Sequence, residues 1–549
     1  MTTKRLLLSA GLALAIGAGI AGWNTAATAQ APQGQTLRYA FQGNLNTLDP
    51  YSLNETTTLA LQGNAYEGLT RRDKDLSIIP GLAERWETLD NGLTWRFHLR
   101  RGIKFHGGED FTAEDVVFSA TRVRAATSDL RSRIDADVEV VAVDSHTVDF
   151  KLKRPNPILH YEWDTWYIMS KKWAEANSAV QPTAASATTP GFATLNANGT
   201  GPFRITQHQV GVRTVYQRNP AWWGKVEHNL AEIIFTPITS APTRVAALLS
   251  GEVDVIDPVP LQDVARINAS ANARVMEGPE LRTIFLQLDQ RRDELVGSSV
   301  KGKNPFKDVR VRRAFYHAID IEAIRRQVMR GAATPTALLI SPLMYPEGGQ
   351  VQRLPFDLAA ANRLLDEAGY PRQGGPTGTR FEVTFDCPND RYVNDGAICQ
   401  AVTAMLARVG VKINPLFVPR AQYFAKVLAT GGFNTSFYLL GWTPGSFDSW
   451  NVLHNLVRCR DDQATGGRGA FNLGGYCNQQ VDALTDQILV EPDVAKRNQL
   501  IAQAYRIITD EASHIPLHQQ ALAWGVSKKV ELVQRADNQF LFHWVVKQP

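Results

Sequence analysis

Only four cysteines occur in 549 residues, and no two stand in a CxxC spacing. That removes the common zinc-ribbon and thioredoxin-like patterns. The sequence contains no GxSxG, no HExxH and no GxxxxGK[ST], so the short signatures of serine hydrolases, zinc proteases and P-loop NTPases are missing. A hydrolase using two carboxylates far apart in sequence leaves no local motif and stays as a remote alternative. Charge of one sign is not in excess: 58 Lys and Arg stand against 54 Asp and Glu. This balance gives no support for nucleic-acid binding or polybasic membrane attachment. After the first thirty residues no run is long and apolar enough to span a bilayer.

The N-terminus reads as a secretory leader. Lys4 and Arg5 form a short positive region, Leu6 to Gly22 is apolar or small throughout, and Ala27-Thr28-Ala29 fits a small-x-small cleavage site. The expected signal peptide is residues 1–29, with a mature start at about Gln30 and 56 basic against 54 acidic residues left. No cysteine follows the apolar core, so a lipid anchor is not expected. The expected location is the periplasm of a Gram-negative cell. Four cysteines in an exported chain imply disulfides, of which sequence alone permits three pairings. The most local pairing, Cys387–Cys399 with Cys459–Cys477, is favoured, each bridge being worth about 3 kcal/mol in the chain-entropy model. No metal site or cofactor is expected.

A chain this long exceeds one hydrophobic core, so at least two domains are expected. Strands and helices alternate. Thr94–Leu99 alternates like a half-buried strand behind an Asp90-Asn91-Gly92 turn. Thr112 and Asp115 form a capping box for a helix with Val116, Val117 and Ala120 on its apolar face. The pattern predicts a helix over Thr56–Glu67, a hairpin over Val138–Leu152 and a strand over Leu281–Leu288. It predicts a βαβ unit from Phe381–Phe385 through a helix near Asn394–Val409 to Val411–Val418. Asn177 to Asn198 has no periodicity and reads as a boundary loop.

An ordered set of short motifs runs through the chain: Leu48-Asp49-Pro50, Tyr66-Glu67-Gly68-Leu69, Pro80 to Trp86, Phe97-His98-Leu99-Arg100, Lys104 to Gly108, Thr112 to Val116, Asn198 to Phe203 and Arg218 to Gly224. Taken in order, they resemble the peptide-type (family 5) solute-binding proteins of ABC importers. The resemblance implies a mixed α/β (α+β) two-lobed clamshell of the periplasmic-binding-protein type with an extra inserted subdomain. Lobe I would combine 30–70, 196–290 and 517–549, subdomain II would be 71–195, and lobe III would be 291–516. The chain would cross between lobes near 290 and 516, making a hinge. The implied function is capture of a small solute, a short or modified peptide above all, and its delivery to a membrane permease by a monomer without enzymatic activity. An opine-like compound, an oligosaccharide or a nickel chelate is the alternative cargo.

Interfaces between domains and loops at the carboxyl ends of strands are favoured ligand positions. Arg391, in Cys387-Pro388-Asn389-Asp390-Arg391-Tyr392, looks equivalent to the arginine with which relatives hold a peptide carboxylate, and its planar fork suits that group. Asn389 and Tyr392 flank it. The second loop, Gly441-Trp442-Thr443-Pro444-Gly445-Ser446-Phe447-Asp448, departs from the resemblance. Peptide-binding relatives carry an Asp for the α-ammonium where Gly445 stands, and Asp448 is the nearest acid. Trp442 and Trp450 are stacking candidates. Trp166, within the aromatic group Tyr161, Trp163, Trp166 and Tyr167, is a possible cleft wall, and Thr57 is a candidate by position. The paired Trp222 and Trp223 read as packing. His454 is a weak candidate for a metal chelate.

Overall fold

The computed structural model describes residues 34–549 except 185, 186, 390 and 462–467. The expected leader and Asp390 lie outside the described residues. No helix among the described residues is long and apolar enough to cross a membrane.

Two long antiparallel strands, Ala273–Leu288 and Ile515–Ser527, form the middle of an eleven-stranded sheet. Beyond Ile515–Ser527 the order continues through Val255–Asp257, Gln35–Phe41, Leu230–Pro237, Arg213–Arg218 and Phe203–Gln209. Beyond Ala273–Leu288 it continues through Phe437–Trp442, Phe381–Pro388 and Val411–Val418. The ladder between the long strands is interrupted between Pro279 and Thr283. Pro279 has no amide proton to give a ladder, and the amide of Leu281 donates outside it, to Ala536 at 2.9 Å. Glu280 and Arg282 sit in this interruption, between the two halves of the sheet. Residues 290 and 516 lie at the far ends of these two strands.

The expected βαβ unit is present: Phe381–Pro388 and Val411–Val418 pair in parallel around the helix Asp395–Ala407. A separate four-stranded antiparallel sheet holds Ala83–Leu89, Thr94–Leu99, Thr147–Lys151 and Glu139–Asp144. Asn91 and Gly92 take positive φ in its first turn, and the Thr112–Asp115 capping box opens the helix Ala113–Val123. Phe97, Phe150, Trp163 and Trp166 fill its core.

Two expectations need correcting. The helix predicted over Thr56–Glu67 spans only Thr56–Gln62. It stops at Gly63, where a Cβ would stand 2.4 Å from the Tyr167 hydroxyl. The Asn64 amide group then bonds the carbonyls of Ala60 and Phe540 at 3.0 and 3.1 Å, and this ties the chain down rather than letting it coil on. The strand predicted from Leu281 begins at Ala273. Gly278 and Pro279 hid its first half, because neither favours a strand interior.

Candidate functional site

Phe381–Pro388 and Phe437–Trp442 are parallel neighbours, so the loops that follow them leave the sheet on the same side. The first carries Arg391, the second Gly445. The Arg391 loop is held at three points. Cys387 and Cys399 form a disulfide across it. One oxygen of Asp395 accepts the amides of Arg391 and Tyr392 at 2.9 and 3.0 Å. The amide of Val393 donates to the Gln520 side-chain oxygen at 3.0 Å. Gln520 lies on the second long strand and donates to Glu280 on the first at 2.7 Å. Glu280 pairs with Arg282 at 3.2 Å, and Arg282 reaches Thr443 Oγ1 in the second loop at 3.3 Å. One chain of polar contacts thus fixes both loops to the strands that join the halves of the sheet.

Other segments face these loops. Arg72, held by Asp164 and by the carbonyls of Leu76 and Tyr161, lies over the Phe447 ring at 3.9 Å. Phe447 itself takes a left-handed φ of 54°. Arg133 Nη1 stands 3.0 Å from where a Cβ on Gly445 would be, and its Nη2 donates to Asn54 at 3.4 Å. Glu55 caps the helix Thr56–Gln62 through the Thr58 amide, which places Thr57 in the first turn, half-buried.

Arg391 differs from the other arginines around it. Its guanidinium makes no hydrogen bond or ion pair among the described residues and only faces the Tyr392 ring, 5.1 Å from its centroid. Burial, helped by Arg282, lowers its pKa, while Tyr392 and Glu55 act in the opposite direction. The acids nearby are pushed the other way. Burial raises the Glu280 pKa, and burial together with Glu280 raises Asp257 to about 7. Burial thus disfavours the charged form of both signs here.

The sequence profile of the bacterial extracellular solute-binding proteins, family 5, matches residues 77–464. The chain belongs to this family. It is 28% identical over 543 residues to the dipeptide-binding protein of Escherichia coli K12, covering 94% of this chain and 95% of that one. It is 27% identical over 499 residues to the glutathione-binding protein GsiB of Salmonella choleraesuis, covering 89% and 90%. Among solved structures it resembles the periplasmic binding protein DppA of Helicobacter pylori in complex with the peptide STSA, with a TM-score of 0.76 at 22% identity, over 94% of this chain and 99% of that one. The fold is accordingly the expected mixed α/β two-lobed one.

The remaining candidates of this solute-binding protein fall in different places. Asn389 is exposed, and Tyr392 is 7% exposed with its hydroxyl on the Gly441 carbonyl at 3.4 Å. Trp442 is half-buried, its indole donating to Asn451 at 3.1 Å and its ring beside Phe471. Trp450 stacks on His454, whose pKa burial lowers to about 4. No cluster of potential metal ligands occurs among the described residues. Trp166 is fully buried in the core of the four-stranded subdomain, against Phe150 and Trp163, and is not brought to the loops. Asp448 is engaged on both oxygens: Arg497 holds them at 2.8 and 2.6 Å, and the Trp450 amide bonds one of them at 2.7 Å as a helix cap. Cys459 and Cys477 form the second expected disulfide.

Three motifs have structural explanations that sequence reasoning missed. Glu67, 9% exposed, accepts Trp222 Nε1 at 3.1 Å, Trp223 Nε1 at 2.8 Å and Thr200 Oγ1 at 2.8 Å. The paired tryptophans, read as packing, are therefore also donors to a buried carboxylate. A Cβ on Gly199 would fall 2.1 Å from the Ala65 carbonyl oxygen, so glycine there permits the close approach. Asp49 of the Leu-Asp-Pro motif receives Arg122 at 2.8 and 2.6 Å with both side chains fully buried. A cavity of about 50 Å³ beside Glu67, bordered by Arg71, Asp164, Arg535 and His543, is too small for a peptide, since one water occupies about 30 Å³ of liquid.

Proposed function

We propose that this protein is the periplasmic substrate-binding component of an ABC importer, exported through its N-terminal leader. As a monomer it takes a short or modified peptide between two lobes and presents the loaded form to a membrane permease. The lobes are those expected from sequence, and they close about the two crossings expected near 290 and 516. The solute's carboxylate lies against Arg391, with Tyr392, Asn389, Thr57 and Trp442 around it. The observation that carries this reading is the Arg391 guanidinium, half-buried on a braced loop with no anionic partner among the described residues. An unpaired charge in such a place is costly, and a ligand carboxylate offsets the cost with two parallel hydrogen bonds. The dipeptide-, glutathione- and peptide-binding relatives support the choice of cargo.

Native mass spectrometry of protein purified from the periplasm, with release and identification of the carried solute, tests the reading. A peptide-like carboxylate whose retention is lost in Arg391→Ala supports it. A solute lacking an acidic group would sink it. Incubating the released solute with the protein also checks that binding proceeds without turnover: the solute is recovered unchanged, while the melting temperature rises with its concentration.

A further inference from the structure

Among the buried acids and bases of the described residues, leaving histidines aside, Asp257 is the one with no hydrogen bond or ion pair, and it is 6% exposed. It ends the strand Val255–Asp257 and lies opposite Phe41, the last residue of the parallel strand Gln35–Phe41. Tyr39, two residues before Phe41, shares that face of the sheet, and its buried hydroxyl has no hydrogen-bond partner among the described residues either. The cations that act on Asp257 are Arg244 and Arg282, and both are engaged elsewhere. Arg244 bonds the carbonyls of Ile238, Thr239 and Pro258 at 2.7, 3.3 and 3.0 Å. Arg282 holds Glu280 and Thr443.

The topology brings this acid toward the Arg391 loop. Strands from both halves of the sheet end at the interruption in the long strands. On one side, Phe437–Trp442 ends with Trp442 opposite Thr283, next to the parallel strand that leads to Arg391. On the other, Val255–Asp257 runs toward the same place. Ile256 lies opposite Gly525, and Val259, two residues past Asp257, bonds Ala523, which is opposite Glu277. Glu280 stands between the two groups: it raises the Asp257 pKa, and Arg391 lowers its own. Glu55 in turn acts on both Tyr39 and Arg391. The space outside the carboxyl ends of strands is where sheets of this kind take ligands. Here it is bordered by an unpaired acid on one side and an unpaired guanidinium on the other.

On the solute-binding reading above, we infer that Asp257, assisted by the Tyr39 hydroxyl, receives a primary ammonium group of the solute while Arg391 holds its carboxylate. The cargo is therefore a zwitterion of short-peptide size with a free amine. A buried carboxylate without a partner is costly, and an ammonium supplies both the opposite charge and three donors.

Isothermal titration of ligand-stripped protein with Ala-Ala and N-acetyl-Ala-Ala, which differ in the ammonium, tests the assignment. Ala-Ala is expected to bind at least tenfold more tightly. Asp257→Asn keeps the shape of the side chain and removes its charge. It should weaken Ala-Ala at least tenfold and change N-acetyl-Ala-Ala little, while its unliganded melting temperature, which should not fall, verifies the fold. Equal or tighter binding of N-acetyl-Ala-Ala, an unchanged preference in Asp257→Asn, or no binding of either probe overturns the inference. Arg391→Ala separates the two claims. If Ala-Ala binds that variant as it binds the wild-type protein, the Arg391 reading itself fails. If Arg391→Ala abolishes binding while Asp257→Asn leaves it intact, only the ammonium assignment fails.

Discussion

Two groups of buried charge in this molecule are built in opposite ways. At the seam between the N-terminal segment and the four-stranded subdomain, three buried carboxylates have their partners. Glu67 has three donors, Asp49 and Arg122 bind each other bidentately, and the Asp164 carboxylate holds Arg72. At the loop following Phe381–Pro388, the Arg391 guanidinium has no hydrogen-bonded or ion-paired anion among the described residues. The difference separates two uses of the same chemistry. A satisfied buried network fixes one arrangement. In the proposed reading, the charge of Arg391, held still by its loop, is completed by the solute.

Mutations sharpen the contrast, because seam variants should lose stability while loop variants should lose affinity. The largest effect is expected at the seam. Asp49→Ala leaves Arg122 buried without its anion, and breaking such a pair costs about 3–5 kcal/mol, read as a lower midpoint in urea unfolding. Next comes Arg391→Ala, which should weaken binding of the recovered solute by about 2–5 kcal/mol in isothermal titration. Its unliganded melting temperature should hardly change, since among the described residues the guanidinium loses only its contact with the Tyr392 ring. A matching loss of stability there would erase the distinction. Trp222→Phe removes one of Glu67's three donors and should cost about 1.5 kcal/mol, at the lower end for a hydrogen bond to a charged group, without altering affinity.

A slope with pH, absent at low pH, tests a buried acid outside both regions. Asp257 has its pKa raised from 3.8 to about 7 by burial and by Glu280. Between these values the folded chain holds a proton that the unfolded chain has released, so stability is full below 3.8 and falls as pH rises through about 7. Asp257→Asn should therefore change little near pH 4 and raise stability at pH 8, by up to about 4 kcal/mol for a shift from 3.8 to about 7. A melting-temperature difference that is the same at both pH values would refute the assignment.

Much of the fold was legible because local rules govern it. The capping box at Thr112 and Asp115, the turn at Asn91-Gly92 and the parallel pair around Asp395–Ala407 each depend on residues close in sequence. The most local cysteine pairing, which loop closure favours, is the one observed. The first half of Ala273–Leu288 was hidden because Gly278 and Pro279 contradict strand propensity, and pairing with a strand some 240 residues away overrides that local preference.

The sequence by itself determined the family, the alternation of strands and helices and the placement of Arg391 after a strand, and it favoured the two bridges, since all of these follow from short-range pattern. Only the tertiary structure decided which charged and aromatic side chains are already occupied. Asp448 is committed to Arg497, 49 residues away, Trp222 and Trp223 bond Glu67 across more than 150, and Trp166 closes a core instead of lining a cleft. The physical reason is that a polar or aromatic side chain takes its role from the partner beside it, and long-range folding selects that partner.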